Sequence, residues 1–305
     1  KGVAFEQFMD GFFKGDFGQY FTPRPIIEFA VKMMKPKHDW DVLDPACGSG
    51  GFLLHALDYM RTQAGDYYDI GTVNYWHDFA AKHLFGIEIN DEIARVAKMN
   101  MIVHDDGHTN VISYDALDSI DKMHEHNRGF EEGKFDLILT NPPFGSTINL
   151  AEKPYLANYE LGNTYDAKGK AKPRKNQSSE ILFIERIWDF LKPGTGKAAI
   201  VLPDGVLTNS SSQYVRDYIL EKFQLLAVVS LPQHAFAHFG AGVKASIIFV
   251  RKRKTSEKAD PDEAIFMAAP ELIGYDATGR KTDSQLDEIV TKYEAFRKDA
   301  TPFFA

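Results

Sequence analysis

The tetrapeptide Asn141-Pro142-Pro143-Phe144 directly follows an apolar run at residues 135–140. Its two prolines fix φ and remove N–H donors, so the Asn141 amide oxygen and nearby carbonyl groups are available as hydrogen-bond acceptors. Phe144 adds a flat face on which a ring can stack. A stiff corner of this kind, at the carboxyl end of a buried strand, suits the binding of a flat aromatic amine. We therefore interpret these four residues as candidate catalytic residues.

A glycine-rich turn at Asp44–Phe52 lies between the first expected strand and its helix. Glycines allow tight backbone geometry and close approach of a ligand, and ligands of open α/β sheets bind in this crevice. The turn is not a phosphate loop, since no Gly-Lys-Ser/Thr follows, and Leu53 stands where the dinucleotide spacing needs Gly or Ala. An acidic first residue favours a cationic ligand over pyrophosphate. The alternative is an ordinary tight turn. Together with the corner, however, it indicates methyl transfer onto a nucleobase and predicts cofactor contacts by Asp44, Ala46, Gly48, Ser49, Gly50 and Gly51.

Two acidic residues follow the next expected strands. Glu88 ends the second strand, where a carboxylate can accept hydrogen bonds from both ribose hydroxyls of a nucleoside. Asp115 follows the third strand and can receive the exocyclic amine of a bound adenine. The alternatives are an acidic residue at a surface strand end for Glu88 and a simple turn residue for Asp115. With their neighbours Ile89 and Ala116, both are predicted to bind the cofactor.

Helical and strand-like segments alternate along the chain, which predicts an α/β fold with a mostly parallel sheet covered on both faces. The seven expected strands lie at residues 41–43, 85–89, 111–114, 135–140, 197–202, 225–231 and 246–250. The loop before the last strand is too short for a helical crossover, so that strand is expected to pair antiparallel with its predecessor. Residues after about 255 are expected to form an appended strand and a charged helix.

Composition narrows the class of protein. The 305 residues are 44% apolar, which is enough for a full α/β core. No apolar run reaches the roughly 18 residues of a membrane helix, and no signal-peptide pattern opens the chain. The single Cys47 excludes an internal disulfide framework and a Cys-rich zinc site, and it fits a reducing cytoplasm. The ten histidines show no metal-ligand spacing. The missing initial Met indicates an excerpt of a larger protein.

The charge distribution is uneven. A formal net charge of −8 argues against a general nucleic-acid binder. A polar stretch with little periodicity, residues 145–177, nevertheless carries a basic run of Lys168, Lys170, Lys172, Arg174 and Lys175. The alternative is a solvated loop. We expect this stretch either to contact DNA phosphates or to become ordered only on binding.

Taken in order, these segments resemble those of the amino-methylating DNA methyltransferases, above all the modification (M) subunits of type I restriction–modification systems. The resemblance covers residues 16–255 and continues weakly to the end. Its segments are Gln19–Pro25, Asp44–Phe52, Gly86–Asn90, Asn141–Phe144, Leu202–Leu207 and Lys244–Val250. It implies the S-adenosylmethionine-dependent methyltransferase (Rossmann-like) fold and S-adenosylmethionine as the cofactor. The implied cofactor contacts are Gln19, Tyr20, Phe21, Thr22, Pro23, Arg24, Ser49 to Gly51 and Glu88. Asn141 is also predicted to contact the cofactor, in addition to its catalytic role.

The resemblance also implies partners. These are double-stranded DNA, a second M subunit, a specificity (S) subunit that reads the DNA sequence and a restriction (R) subunit that joins for cleavage. A helical domain is implied before residue 1. We divide the chain into a connector with the start of the cofactor segment (1–22), a methyltransferase domain (23–255) and a strand-and-helix extension (256–305).

The hypothesis for the reaction is direct in-line transfer of the sulfonium methyl group to N6 of an adenine in DNA. Hydrogen bonds from N6 to the Asn141 oxygen and the Pro142 carbonyl would stabilise the developing positive charge. The base, flipped out of the duplex, would stack on Phe144, with Tyr20 and Phe21 as further candidates to line the pocket. Alternatives are methylation of cytosine N4, an RNA guanine amine or a protein glutamine, or a non-catalytic scaffold that binds cofactor or a partner.

Overall fold

The computed structural model of the chain describes residues 22–64, 73–104, 110–237 and 242–303. Helices and strands alternate in its first half. They are α1 (Arg24–Met34), β1 (Val42–Asp44), α2 (Gly51–Ala64), α3 (Val73–His83), β2 (Leu84–Glu88), α4 (Asp91–Val103), β3 (Val111–Ser113), α5 (Ile120–His126) and β4 (Leu137–Thr140). Every residue of β1, β2 and β4 is buried, as strands covered on both faces require. Helix α5 was not predicted, because its only buried residue is Met123.

An insertion of short elements follows β4. It contains β5 (Thr147–Asn149), a 3₁₀ turn at Pro154–Asn158, β6 (Asn163–Tyr165), β7 (Ala171–Pro173) and β8 (Asn176–Ser178). Strand β5 pairs antiparallel with β8, and β6 pairs antiparallel with β7. The stretch for which the sequence predicted little regular structure therefore forms one two-stranded ribbon nested within another.

The second half returns to the central sheet. Its elements are α6 (Ser179–Phe190), β9 (Lys197–Pro203), α7 (Asp204–Thr208), α8 (Gln213–Lys222), β10 (Phe223–Ser230), β11 (Ala245–Lys252), β12 (Phe266–Ala268), β13 (Ile273–Tyr275), β14 (Lys281–Ser284) and α9 (Leu286–Lys298). None of the helices in the described ranges is long and apolar enough to cross a membrane.

The central sheet has the strand order β12-β10-β11-β9-β4-β1-β2-β3. Strand β11 runs antiparallel to both of its neighbours, β9 and β10, and the other pairings in this sheet are parallel. The predicted parallel sheet and the predicted antiparallel pairing are thus confirmed. The predicted count of seven strands is wrong: β12 adds an eighth strand at the edge, parallel to β10.

Strand order reverses between β1 and β4. From β1 the chain moves outward through β2 to β3, and then crosses to β4 on the other side of β1. In parallel sheets, a crevice opens at the carboxyl ends of the two strands that flank such a reversal. The glycine-rich turn follows β1 and the Asn141–Phe144 corner follows β4, so the reversal brings the two predicted motifs together.

Two apolar layers hold this arrangement, one on each face of the sheet. One layer joins sheet residues to α1, α2 and α9, and the other joins them to α5, α6 and α8. Strand β11 shows the alternation, since Ile247 and Phe249 enter the first layer and Ile248 and Val250 the second. Helix α9 also forms ion pairs with α1 and with the C-cap residue that follows it, from Lys32 Nζ to Asp287 Oδ1 at 2.6 Å and from Lys35 Nζ to Glu294 Oε1 at 2.5 Å.

Gly86 in β2 lies where a side chain would meet the glycine-rich turn. A Cβ at this position would lie 3.0 Å from the Cys47 Sγ and 3.1 Å from the Leu53 Cδ1. We expect Gly86→Ala to lower the free energy of unfolding by about 1–3 kcal/mol through overpacking, as measured by urea denaturation. Gly242→Ala is the matched control, because a Cβ there meets no atom within 4 Å. Equal stability of the two variants would contradict this packing.

Candidate active site

The glycine-rich turn is held by backbone hydrogen bonds to β2 and within itself. The Cys47 N–H donates to the Ile87 carbonyl at 2.9 Å, and the Gly50 N–H donates to the Cys47 carbonyl at 2.8 Å. Gly48 and Gly50 have φ angles of 53° and 87°, which residues with a Cβ adopt at a cost. Asp44 is buried beneath the turn and accepts the Ala46 N–H at 3.0 Å. Asp44 therefore shapes the turn from below.

Glu88 connects the turn to the next helix. Its Oε2 accepts the Gly48 N–H at 3.1 Å and its Oε1 accepts the Asn90 N–H at 2.8 Å. Asn90 in turn caps α4, since its Oδ1 accepts the N–H groups of Glu92 and Ile93. Glu88 is only 5% exposed, and a carboxylate retains acceptor capacity beyond two hydrogen bonds. The end of β2 thus presents a fixed, buried carboxylate beside the turn.

Asn100 in α4 supports the glycine-rich turn from outside the cavity and was not predicted from the sequence. Its Nδ2 donates to the Ser49 carbonyl at 3.0 Å, and its side chain is 2% exposed. Asn100 follows Ile93 and Ala97 on the buried side of the helix. A polar residue in that apolar stripe is the signal that was available, because buried amides require hydrogen-bond partners.

The Asn141–Phe144 corner is fixed from two sides. Asn141 Nδ2 donates to Thr22 Oγ1 at 3.0 Å, whereas its Oδ1 is buried and has no hydrogen-bond partner among the residues that the structure describes. Ser179 Oγ donates to the Pro143 carbonyl at 2.9 Å. Phe144 is half-buried against the apolar layer of α1 and α2. Ser178 stands at the N-cap of α6 but makes no side-chain capping hydrogen bond.

Asp115 lies at the end of β3 and is bound by the insertion. Its Oδ2 accepts from Lys153 Nζ at 2.9 Å and from Tyr155 Oη at 2.8 Å, and its Oδ1 accepts the Leu117 N–H at 3.0 Å. Burial raises the pKa of the Tyr155 hydroxyl, and the Asp115 negative charge raises it further. The Tyr155 hydroxyl therefore stays a donor to this carboxylate.

A buried arginine holds the wall behind Asp115. Arg186 in α6 donates from Nη2 to the Asp118 carbonyl at 3.0 Å and from Nε to Tyr159 Oη at 2.9 Å. Tyr159 Oη donates to the Leu117 carbonyl at 2.7 Å, and the Arg186 charge is paired with Asp189 at 3.4 Å. This network fixes residues 115–118 against the insertion. It joins segments far apart in sequence, so no local pattern predicted it.

The glycine-rich turn, the Asn141–Phe144 corner and the insertion all contribute residues to one cavity of about 430 Å³, a volume typical of small-molecule sites. The predicted residues that line it are Ala46, Gly48, Glu88, Ile89, Asp115, Ala116, Asn141, Pro142, Pro143 and Phe144. The predicted residues outside the lining are Thr22, Pro23, Arg24, Asp44, Ser49, Gly50 and Gly51; Gln19, Tyr20 and Phe21 lie outside the described residues. Lining residues that were not predicted include Phe183, Phe236, Lys153, Ser179 and Ile148.

The lining combines three kinds of group. These are the buried Glu88 and half-buried Asp115 carboxylates with the glycine turn, the Asn141 acceptor, and apolar side chains such as Phe183 and Phe236. This set suits a nucleoside-like ligand with a cationic centre next to an amine-bearing ring. In the described ranges, no three or more His, Cys, Asp or Glu side chains are arranged to hold a metal ion.

Comparison with solved structures identifies the class of fold. The arrangement is that of S-adenosylmethionine-dependent methyltransferases, which confirms the predicted fold class. A type I restriction–modification methyltransferase subunit from Streptococcus thermophilus superimposes with a TM-score of 0.68 at 23% identity, over 96% of this chain and 57% of that chain. A chain from an assembly of a type I R-M system gives a TM-score of 0.67 at 28% identity, over 91% of this chain and 52% of that one.

Sequence comparison identifies the family. Residues 2–305 match the family described as N-6 DNA Methylase, and the chain belongs to that family. It is 32% identical over 247 residues to the methylase subunit of the type I restriction enzyme StySPI of Salmonella potsdam, and 31% identical over 246 residues to that of EcoKI of Escherichia coli K12. Each match covers 78% of this chain, and the chain spans 41% of the length of each relative.

Burial raises the pKa of the Asp44 carboxyl to about 7, and the nearby Glu88 charge adds to the effect. In the unfolded chain an Asp ionises near pH 4, so between about pH 4 and 7 the folded state binds more protons. The Asp44 contribution to stability is therefore present below about pH 4 and is lost as pH rises to about 7.

We expect Asp44→Asn to gain stability relative to the wild-type protein as pH is raised through this window. The gain is up to about 4 kcal/mol, at about 1.4 kcal/mol per pKa unit, and urea denaturation at a series of pH values measures it. Asp121→Asn, which replaces an exposed carboxylate, is the control for removal of a negative charge. A difference between Asp44→Asn and wild type that is the same at all pH values would contradict the burial of the charge.

Proposed function

We propose that the protein transfers a methyl group from S-adenosylmethionine to N6 of adenine in DNA, as the modification subunit of a type I restriction–modification system. The observation that carries the proposal is the Asn141 amide. Its nitrogen donates to Thr22, and its buried oxygen has no hydrogen-bond partner among the described side chains and backbone groups. An unsatisfied buried acceptor is costly, and an amine donor from a bound base would remove that cost.

The cofactor would lie along the carboxyl ends of β1, β2 and β3. The Glu88 carboxylate would accept its ribose hydroxyls, and the turn at Gly48 would allow the ligand to approach the backbone closely. Asp115, with Ile89 and Ala116 on the same wall, would contact its adenine. Residues 19–24 are proposed to complete the site through Thr22. When bound, the cofactor supplies an electrophilic methyl group on a positively charged sulfur.

The amine to be methylated would lie at Asn141. The lone pair of an adenine N6 is delocalised into the ring, so the free amine is a weak nucleophile. Hydrogen bonds from N6 to the Asn141 Oδ1 and the Pro142 carbonyl favour a pyramidal nitrogen, and they strengthen as positive charge develops there. Since N6 is hidden in a duplex, the base has to be extruded, and Phe144 would stack against it.

The proposed partners follow from the relatives. Those matched are named methylase subunits of type I restriction enzymes, and a similar solved chain comes from the assembly of a type I R-M system. We infer that this chain acts on double-stranded DNA in the cytoplasm with a second M subunit, a specificity subunit and a restriction subunit. We further propose that residues 1–22 connect to another domain, that residues 23–255 carry catalysis, and that residues 256–305 form an extension whose strand β12 joins the edge of the central sheet.

Asn141→Ala tests the catalytic proposal. We expect the turnover of labelled methyl transfer to adenine in duplex DNA to fall by about 100-fold or more, because a preorganised acceptor for the developing charge is removed. Cofactor affinity, measured by calorimetry, should stay within a few-fold of wild type. Asn158→Ala is the matched control, because that asparagine is exposed and outside the cavity. Wild-type turnover in Asn141→Ala would rule out the proposed role.

Glu88→Gln tests the cofactor site. The amide keeps the shape and one acceptor oxygen but loses the charge, so the dissociation constant for S-adenosylmethionine should rise by about 10-fold or more. Calorimetric titration measures the constant, and thermal unfolding shows whether the turn stays folded. Glu92→Gln, on an exposed position two residues beyond Asn90, should bind as wild type does. An unchanged constant in a folded Glu88→Gln protein would exclude the ribose contact.

A further inference from the structure

The β6–β7 hairpin of the insertion carries a concentration of positive charge. Between Asn163 and Lys175 the chain has five basic side chains and one acidic side chain, in a protein with a formal net charge of −8. Residues 164–173 are all exposed. The hairpin is therefore opposite in charge to the protein as a whole.

Four of these charges have no partner within the described structure. Lys168, Lys170, Lys172 and Lys175 form no ion pair with any described carboxylate. The one acidic residue, Asp166, is occupied by the turn itself, since its Oδ1 accepts the N–H groups of Lys168 and Lys170 at 2.8 and 2.9 Å. The lysine side chains are therefore not paired with any described carboxylate and are available to an external anion.

Arg174 has a different role at the base of the hairpin. Its guanidinium lies over the Tyr214 ring at 4.3 Å, and its Nε donates to the Asn163 carbonyl at 3.2 Å. Asn163 Nδ2 donates to the Ala157 and Tyr159 carbonyls at 2.9 and 2.6 Å. These bonds attach the base of the hairpin to the rest of the protein, and the side chains of its lysines take no part in them.

The attachment leads directly to the walls of the cavity. Gln177 Nε2 donates to the Leu161 carbonyl at 2.7 Å, and the Glu185 carboxylate in α6 accepts the N–H groups of Glu160 and Leu161 at 2.7 and 2.8 Å. The outer β5–β8 ribbon contributes Ile148 to the cavity lining, and α6 contributes Phe183. The lysines are therefore held in a defined position relative to the site.

We propose that this hairpin binds the phosphate backbone of the DNA duplex beside the extruded base, with Lys168, Lys170 and Lys172 as the phosphate ligands. The inference rests on the proposed function for the choice of DNA. An extruded base stays covalently joined to phosphates on either side of it, so a positively charged arm that is fixed to the base pocket meets that backbone. Ammonium groups on a hairpin contact phosphates without reading sequence, so this surface adds affinity and position but no specificity.

The test is the triple variant Lys168→Gln/Lys170→Gln/Lys172→Gln in the full chain. Fluorescence anisotropy with a labelled duplex, between about 50 and 200 mM salt, gives the affinity and its salt dependence. We expect binding to weaken by about 10-fold or more, and the slope of log K against log salt to fall by about 0.9 per lost phosphate contact. In methyl transfer, KM for DNA should rise while kcat and cofactor affinity stay as in wild type.

The control removes the same charge elsewhere. Lys258→Gln/Lys281→Gln/Lys298→Gln replaces three exposed lysines that form no ion pair in the described ranges, and it should retain the wild-type salt slope.

An identical loss in both triple variants would overturn the proposal, because it would show a general charge effect. A wild-type slope in the hairpin variant, or no duplex binding by the wild-type chain at the lowest salt, would overturn it too. Salt-dependent binding through the hairpin without any methylation of DNA would contradict the proposed function and leave this inference standing.

Discussion

The reversal of strand order between β1 and β4 is the constraint on which the site depends. The connections that follow adjacent parallel strands usually lead in the same direction along the sheet. Here the chain leaves β1 toward β2, whereas it later enters β4 on the opposite side of β1. The turn after Asp44 and the corner after Thr140 consequently diverge, and the cavity lies between them. Gly48, Glu88 and Asn141 line the same cavity because of this topology.

Burial of polar groups sets the chemistry of that cavity. Glu88 is compensated by two backbone N–H groups, whereas Asp44 is buried deeply enough for its pKa to rise to about 7. The Asn141 amide N–H donates to Thr22, and the amide oxygen has no hydrogen-bond partner within the described structure. The Glu88 carboxylate near the turn and the open acceptor at the corner both favour positive charge in the cavity. A sulfonium donor and an amine that becomes cationic as it reacts have that charge.

The sequence predicted the parts of the fold that repeat a pattern and missed the parts that depend on contact across the chain. Buried apolar runs located β1, β2 and β4, and Asn141–Phe144 was recognised because its residue types are unusual at a strand end. β12 was assigned to an extension rather than to the sheet, because three residues at an edge carry no alternation of their own. β6 and β7 were missed because their residues are mostly polar and exposed and follow no periodicity. Arg186 and Phe236 reach the site through partners distant in sequence, which a local pattern cannot show.

The insertion after β4 shows how this fold gains a new surface without a new core. Its short strands bury little, so they would not be stable as a separate unit. They are held instead by directed polar contacts: Asn163 to two carbonyls, Gln177 to Leu161 and Tyr214, and Glu185 to two N–H groups. Such bonds fix geometry as well as energy, because each requires a specific distance and angle. The same segment supplies Lys153, which donates to Asp115, and it contributes Ser146 and Ile148 to the cavity lining. A movement of the charged hairpin that strained its base would therefore also displace the walls of the cavity, where the two substrates are proposed to meet.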